Sequence, residues 1–341
     1  MKIEIIDNIN KFSEIESKWN KIYDIGNYTF FQSFHYNFYA WKNILFEDSF
    51  NKLNIILVYH EKTIVAICPF YIDKLKRLRF INDIHTDFCD ILVTKKIEFN
   101  SILKSLNFIN SYSFINLNKN SHLLKTIDLN EYNYVKKHQS FFSYINLKKG
   151  NFPQNHLILK SKQKSEFRRI AKKHINSIHL VLSASNYAFP INEINTLRNK
   201  MINARKRKTS FLNLKILKLI ELLYINNELI ISMIKNDYCV QAISFVLKKD
   251  NNYLFWIDMY DSSKMINIFN YIKFISKMSS KKDVNIHFGR GDYFYKLNNF
   301  KPKIENLQHI YIFFSNLDLF YFKIKNMILN FIRKVYKIIN R

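Results

Sequence analysis

Apolar positions change their spacing repeatedly along this chain, and each change predicts an element. Lys2 to Ile6 alternates like a strand, and Phe12, Ile15, Trp19 and Ile22 then recur at helical spacing, with Ser13 placed as a cap ahead of Glu16. Phe31, Phe34, Phe38 and Trp41 put an aromatic face on a helix over Phe30 to Leu45, the pattern of a helix buried against a sheet. Two alternating runs, Leu53 to Tyr59 and Thr63 to Tyr71, flank the polar His60-Glu61-Lys62 and predict an antiparallel hairpin. Short strands are expected at Arg77 to Phe80, Ile91 to Val93, Phe114 to Leu117, Thr126 to Leu129 and Phe142 to Leu147, and a helix at Ile97 to Leu106. Lys148-Lys149-Gly150-Asn151-Phe152-Pro153 is the strongest punctuation, so a domain boundary is placed there.

The second half repeats this order. A helix over Leu157 to Asn176 leads to a strand at Ile178 to Leu182, then to helices at Ile191 to Ala204 and Ile216 to Ile225. A second hairpin joins Leu229 to Ile234 with Val240 to Leu247, followed by a strand at Tyr253 to Asp258 and a helix at Asn267 to Met278. Val65-Ala66-Ile67 in the first hairpin echoes Gln241-Ala242-Ile243 in the second, with Ala66 and Ala242 176 residues apart. Recurrence of the element order on both sides of Pro153 favours an internal duplication.

Length and charge refine the picture. A chain of 341 residues exceeds what one core usually serves, so domains are expected at 1–152 and 153–310, with 311–341 as a terminal helix. Lys+Arg number 53 against 27 Asp+Glu, a net charge of +26, while apolar residues make up 48%. Such a folded, basic chain suits partners bearing phosphate or carboxylate: nucleotides, nucleic acid or anionic membrane. Cys68, Cys89 and Cys239 are odd in number and lack CxxC spacing, which argues against a disulfide framework and a zinc site. MKIEIIDNIN lacks the layout of a signal peptide, and no run approaches a membrane span, so a cytoplasmic protein is expected.

Three segments carry candidate chemistry. Two of only four glycines, Gly289 and Gly291, fall one residue apart within Asp283 to Phe300, where a strand ends in a bare-backboned turn presenting Arg290, Asp292, Tyr295 and Lys296. The loop from Asn82 to Asp90 holds His85, Asp87 and Asp90 and reads either as a pocket wall or as a satisfied structural loop; three ligands in one loop with no partner elsewhere argue weakly for metal. Leu317 to Arg341 sets Phe320, Ile324, Met327, Ile328, Phe331, Val335 and Ile338 along one stripe and Lys323, Lys325, Arg333, Lys334 and Lys337 opposite. That basic amphipathic helix suits an anionic membrane surface or docking on the protein itself.

On these residues the chain resembles the GNAT-type acyltransferases of the CelD-like group, related to the FemAB-like tandem GNAT proteins and the BioF2-like acetyltransferase domain. The resemblance covers about half the chain. It rests on Val240 to Phe245, Met259-Tyr260-Asp261, Phe288-Gly289-Arg290-Gly291-Asp292 with Tyr295-Lys296, the basic helix Ser165 to Lys173, and the segment Arg198 to Ser210. Two departures stand out. His287 occupies a position where the family writes Asp, and Asp261 to Asn267 lacks the family's glycine.

The resemblance implies an α/β fold of tandem GNAT-like domains, each a mixed, mostly antiparallel sheet flanked by helices, with chemistry in the C-terminal one. It implies an N-acyltransferase using acyl-CoA, acetyl-CoA foremost, without a metal, acting on the amino group of an amino sugar in surface-polysaccharide or envelope biosynthesis. His287 and Asp292 would deprotonate the amine, and Tyr295 would protonate the leaving sulfur. Ser262, Ser263, Lys264 and Asn267 would hold the cofactor diphosphate. Arg290, Lys296, Asp87, Asp90, Arg168 and Arg205 would contact substrate. A FemAB-like relative would instead use charged tRNA, with which the basic Arg168 to Lys173 and Arg205 to Lys208 runs are compatible. A non-catalytic RNA- or membrane-binding protein is the remaining alternative.

Overall fold

The computed structural model describes residues 2–106, 108–152, 160–237, 239–261, 264–291 and 294–339. Both expected hairpins are present: Ile55–His60 turns into Thr63–Cys68, and Leu229–Lys235 into Val240–Lys249. Their β-branched and aromatic runs suit a pleated, buried surface. Each hairpin carries a further antiparallel strand on one side, Lys2–Ile6 beside Ile55–His60 and Ile178–Leu182 beside Leu229–Lys235.

The two assemblies share one register. Lys2 faces Tyr59 and Ile6 faces Ile55, while Ile178 faces Lys235 and Leu182 faces Ile231, every position displaced by the same 176 residues that separate Ala66 from Ala242. Both ladders slip at one place. Val58 opposes Ala66 and Tyr59 opposes Ile64, leaving Val65 extra; Ile234 opposes Ala242 and Lys235 opposes Val240, leaving Gln241 extra. In each case the extra residue's carbonyl accepts a backbone N–H from just beyond the next strand, that of Thr94 onto Val65 at 2.9 Å and that of Asp261 onto Gln241 at 2.8 Å. A bulge repeated at constant offset is a built feature rather than a chance of alternation, and it supports the duplication.

By compactness the chain divides into two units: Met1–Gly26, Asp48–Gln139 and Leu307–Arg341 make the first, and Asn27–Glu47 with Ser140–Asn306 the second. These units interleave in sequence, whereas the pattern reading divides the chain in order; the expected break after residue 152 adjoins 153–159, outside the described residues. The first unit holds a four-stranded sheet in the order Lys2–Ile6, Ile55–His60, Thr63–Cys68, Leu92–Val93. It also holds a ladder from residues 307–313 through Ser111–Asn118, Arg77–Phe80 and Phe70–Ile72 to Lys52–Leu53. Phe70, Phe80, Phe99 and Phe114 fill its core. Thr126 to Leu129 is not a strand. Ser121 caps a short helix, His122–Thr126, by accepting from the Leu124 N–H, and a 3-10 turn follows at Leu129–Glu131.

In the second unit the strands run Ile178–Leu182, Leu229–Lys235, Val240–Lys249, Asn252–Tyr260, Val284–Arg290 and then residues 140–147. Helices Ser161–Lys173 and Lys264–Ser279 contribute Phe167, Ile170, Phe269, Tyr271 and Ile275 to its core. The single aromatic helix expected over Phe30 to Leu45 is broken: Ser33 caps Phe34–Ala40, with a 3-10 turn before it and a π turn, Trp41–Leu45, after it.

The glycine pair does what its rarity implies. His287 opposes Tyr144 and Arg290 opposes Phe142, so the strand carries an extra residue between them. Gly289 sits in that bulge at φ 74 and Gly291 leaves it at φ 106, its N–H donating to the Phe141 carbonyl at 2.9 Å. A side chain at either φ costs about 1–2 kcal/mol. Gly289→Ala and Gly291→Ala are each expected to lower unfolding free energy by about that amount; an unchanged urea midpoint would show that this bend tolerates a Cβ.

Candidate active site

Strands Asn252–Tyr260 and Val284–Arg290 run parallel, but their ladder lasts three pairs: Asn252 with Asn285, Tyr253 with Ile286, Leu254 with His287. Beyond them the strands part. Asn252–Tyr260 stays on Val240–Lys249 as far as Tyr260, while Val284–Arg290 stays on the 140–147 segment as far as Arg290. A gap at the carboxyl ends of parallel strands is where open α/β sheets receive ligands. Its walls also carry backbone groups that no longer meet across the ladder. Helix Lys264–Ser279 begins four residues past Tyr260, so its N-terminal N–H groups and their positive dipole end belong to the same edge.

A second bulge selects the side chains facing that helix. Phe245 opposes Ile257 and Val246 opposes Phe255, so Trp256 is the extra residue. Its ring meets Phe31 and Tyr36 at 6.3 and 5.9 Å, and Asp258 is returned to the face that Phe255 occupies. There Asp258 Oδ1 accepts from the Ser244 hydroxyl at 2.7 Å and Oδ2 accepts from the buried Tyr271 hydroxyl, which also hydrogen-bonds Tyr295. Asn270 extends the chain: its amide donates to Ser244 Oγ and to the Ser232 carbonyl, both at 3.1 Å, and accepts from the Ser232 hydroxyl at 2.7 Å. His179 Nε2 lies 2.9 Å from Ser232 Oγ. Since that hydroxyl's proton is directed at Asn270, Nε2 is the donor. Burial, helped by Lys277 and Lys273, pushes the His179 pKa down to about 4. Burial, then Asp258, pushes Tyr271 well above the usual phenol value, so it stays protonated.

Several expected residues gather here. Lys296 is 4% exposed, and its ammonium donates to the Phe288 carbonyl, on the wall freed by the parting, with the Tyr295 ring 6.0 Å away. Tyr295 is half-buried beside Tyr271, ring centroids 6.4 Å apart. Arg290 ends the strand. His287 is the last paired residue before the gap, its ring among Tyr144, Phe30 and Phe142 at 5.7, 6.1 and 6.3 Å. Desolvation by that aromatic box pushes its pKa down to about 4, so the imidazole is neutral at physiological pH. Asn267, 1% exposed in the first turn of Lys264–Ser279, has neither amide atom hydrogen-bonded. Asp292, Ser262 and Ser263 lie outside the described residues, and of Lys264 only the backbone is described.

Comparison with solved structures addresses this architecture. FemX matches with a TM-score of 0.63 at 8% identity, over 94% of this chain and 99% of its own. The C-terminal domain of a protein described as a lysylphosphatidylglycerol synthetase, from Agrobacterium fabrum, matches at 0.60 and 8% identity, over 93% and 97%. A tandem GNAT protein from the clavulanic acid biosynthesis pathway matches at 0.52 and 7% identity, over 91% and 98%. The fold is that of the FemX-like tandem GNAT proteins. No sequence-family model and no curated protein matches the chain.

Within this FemX-like fold the other expected residues belong to other elements. Asp90 belongs to the first unit, where its carboxylate accepts three backbone N–H groups, from Ile91, Leu123 and His122 at 2.9, 3.0 and 2.8 Å, fixing the start of helix His122–Thr126. Burial pushes its pKa up to about 7 against those bonds. Its loop is tied down throughout: Arg79 grips Asp83 at 2.7 and 3.0 Å, and Asn116 donates to the Asp83 and Thr86 carbonyls. Asp87 is buried in the same loop. Among the described residues no cluster of metal-ligating side chains occurs.

Arg168 is exposed on Ser161–Lys173, and Arg205 is exposed at φ 54 in the loop after Ile191–Asn203. That loop is shaped by Arg198, which donates to the Phe211 and Thr209 carbonyls at 2.7 and 3.0 Å. The helix and this loop bring cations to Asp261: Lys200 Nζ, on Ile191–Asn203, meets the Asp261 carboxylate at 2.6 Å and Lys206 donates to the Asp261 carbonyl. Sequence reasoning missed Asp258, Tyr271, Asn270 and Lys200. The available signal was polar spacing: Asn267, Asn270 and Tyr271 fall at i, i+3 and i+4 within the otherwise apolar stretch Met265 to Ile272.

A neutral His287 has a measurable consequence. Its folded pKa of about 4 lies below the ordinary 6.5, so between those values the unfolded chain binds the extra proton and stability falls as pH drops. Between about pH 7.5 and about pH 5 the wild-type chain should lose about 2 kcal/mol more than His287→Phe. Urea titrations giving both proteins the same pH dependence would refute the desolvated imidazole.

Proposed function

We propose that this protein moves an acyl group from an activated carrier onto an amine, in the gap beyond Leu254 and His287. The parting of those two strands is the observation that carries the reading: it opens two strand edges to an extended acyl arm, as an open edge does to an added strand, and it ends at a helix N-terminus suited to phosphate. The carrier's phosphates would lie against the first turn of Lys264–Ser279, where Ser262, Ser263 and Lys264 precede or open the helix and the Asn267 amide waits for a partner. The carrier is an acyl-CoA, acetyl-CoA foremost. The acceptor amine, on an amino sugar of surface polysaccharide or envelope, is taken from the CelD-like resemblance.

Chemistry follows from the polar chain. The amine attacks the acyl carbon, forming C–N, and the carbonyl oxygen gathers charge that the Lys296 ammonium can offset. The amine's proton passes to Tyr295, whose own proton moves to Tyr271 and that of Tyr271 to Asp258. Collapse breaks the acyl C–S bond, and the proton returns along the same path to the leaving sulfur. Arg290 would orient an anionic acceptor, while His287, a weak base, and Asp292 are further proton acceptors.

A second reading draws on the basic loop. Arg205, Lys206, Arg207 and Lys208 are all exposed, two lysines already reach Asp261, and the loop there lacks the family's glycine. A polyanionic carrier would use all of them, and an aminoacyl-tRNA, whose acyl C–O bond breaks instead, is that carrier. Titrating the purified chain with acetyl-CoA and with charged tRNA separates the two. Saturable thioester binding supports the first, and salt-steep tRNA binding alone the second; binding of neither sinks transfer altogether.

Two substitutions probe the site itself. Asn267→Leu removes a buried, unpaired amide, so stability should hold or rise while carrier affinity falls about tenfold. A loss of stability with unchanged affinity would place Asn267 in the core only. Asp258→Asn keeps hydrogen-bond acceptors for Ser244 and Tyr271 but cannot take a proton, and should lower kcat about 100-fold with little change in KM. Full activity in that variant would remove Asp258 from the path.

A further inference from the structure

Helix Asn316–Ile339 lies in the first unit with its apolar residues facing the wrong way for a core. Among its described residues the ring contacts fall on one side. Phe322 packs on Tyr311 and Phe313 with ring centroids 4.7 and 5.0 Å away, and Leu319 and Asn326 are half-buried one turn to either side. At 3.6 residues per turn, about 100° each, Phe320, Tyr321, Met327, Ile328, Phe331 and Ile332 occupy an arc opposite that side. They are exposed accordingly, Phe320 at 58%, Met327 at 67% and Phe331 at 67%. Isolated exposed hydrophobics need no explanation, but a stripe from Phe320 to Ile332, with half-buried Ile324 between its exposed members, does.

Charge chooses the occupant. Over 316–341 the chain has six basic residues, Lys323, Lys325, Arg333, Lys334, Lys337 and Arg341, against the single acid Asp318. A second copy would bring the same positive charge onto the stripe, with only Asp318 in this segment to set against six cations. An acidic surface with an apolar interior matches both features at once. No helix of the described residues is long and apolar enough to cross a membrane, so the match is to a surface. A groove of about 490 Å³ beside the helix repeats the pairing on a smaller scale, with Val135, Met327 and Phe331 as apolar walls and Lys137 and Lys323 at its edges. Lys137 Nζ lies 4.9 Å from the Phe322 ring centroid.

We infer that Asn316–Ile339 seats the protein on an anionic lipid bilayer, its outward stripe entering the headgroup and acyl boundary while Lys323 and Lys325, with Lys137 in the groove, meet lipid phosphates. This does not rest on the transfer reading, and its test reads binding alone. The full-length chain is sedimented with vesicles of phosphatidylglycerol and phosphatidylcholine, and with phosphatidylcholine alone. Binding to the anionic vesicles only is expected, weakening as salt rises. Phe320→Asp and Phe331→Asp, both at exposed positions, should each reduce it about tenfold or more, and Lys137→Glu with Lys323→Glu should abolish the preference for anionic lipid. No vesicle binding, or binding untouched by the two Phe variants, overturns the proposal. So does a wild-type dimer in solution that Phe331→Asp converts to monomer without any vesicle binding, which would assign the stripe to a second copy.

Discussion

Everything proposed for the second unit depends on three residue pairs of parallel ladder and on their stopping. Asn252, Tyr253 and Leu254 hold Asn285, Ile286 and His287, and past them each strand follows its other neighbour. Two bulges accompany the separation. One, at Gly289, bends Val284–Arg290 on its outer ladder; the other, at Trp256, changes which side of Asn252–Tyr260 faces helix Lys264–Ser279. Bulges twist a strand and re-aim the side chains beyond them, so one device, used on both strands, accompanies the gap and turns Asp258. The freed Phe288 carbonyl would be costly to leave bare. Lys296 covers it, which puts an ammonium on that wall, where the proposed transfer would use its charge.

The buried polar chain behind the gap obeys the same accounting. A carboxylate, two serines, an asparagine, two tyrosines and a histidine meet in one layer between sheet and helix, and each hydrogen bond named for it has a defined donor. Such a network is stabilising only when satisfied, because its members are stripped of water. Asn267 breaks the rule one turn nearer the helix start, with two unbonded amide atoms on the same helix face. A native chain seldom retains such a group without use for it. Its position in the first turn of the helix is where the proposed carrier would give it a partner.

Much of this was legible in the sequence because local rules and tertiary packing agree. Alternation located both hairpins, the 176-residue echo at Ala66 and Ala242 proved to be a shared register from the first strand to the bulge, and the glycine pair marked the bend it makes. The features that stayed hidden depend on partners distant in sequence. Asp258 reads as an ordinary strand position until Trp256 is known to be extra, since a single inserted residue reverses every later side chain. Thr126 to Leu129 alternates like a strand, but Ser121 and Asp90 together fix a helix start just before it. Asp90 and Asp87 look like a pocket wall by composition, yet Asp90 is engaged by three backbone amides. Lys303–Phe313 lacks an obvious pattern and gains its partner, Ser111–Asn118, from nearly 200 residues away.

The duplication also bears on why one unit would carry the chemistry. After the shared bulge, Thr94 and Asp261 hold equivalent hydrogen bonds, so the two copies can be compared from a common point. The strand entering that point is nine residues long in the second unit, Asn252–Tyr260, but two in the first, Leu92–Val93. The helix leaving it is sixteen residues in the second unit and six, Phe99–Lys104, in the first. A two-residue strand leaves little ladder from which a neighbour could part. A helix under two turns also sums few peptide dipoles toward an anion. The first copy thus keeps the hairpin of the repeat but has the shorter strand and helix, while the second has the length that the proposed carrier site would need.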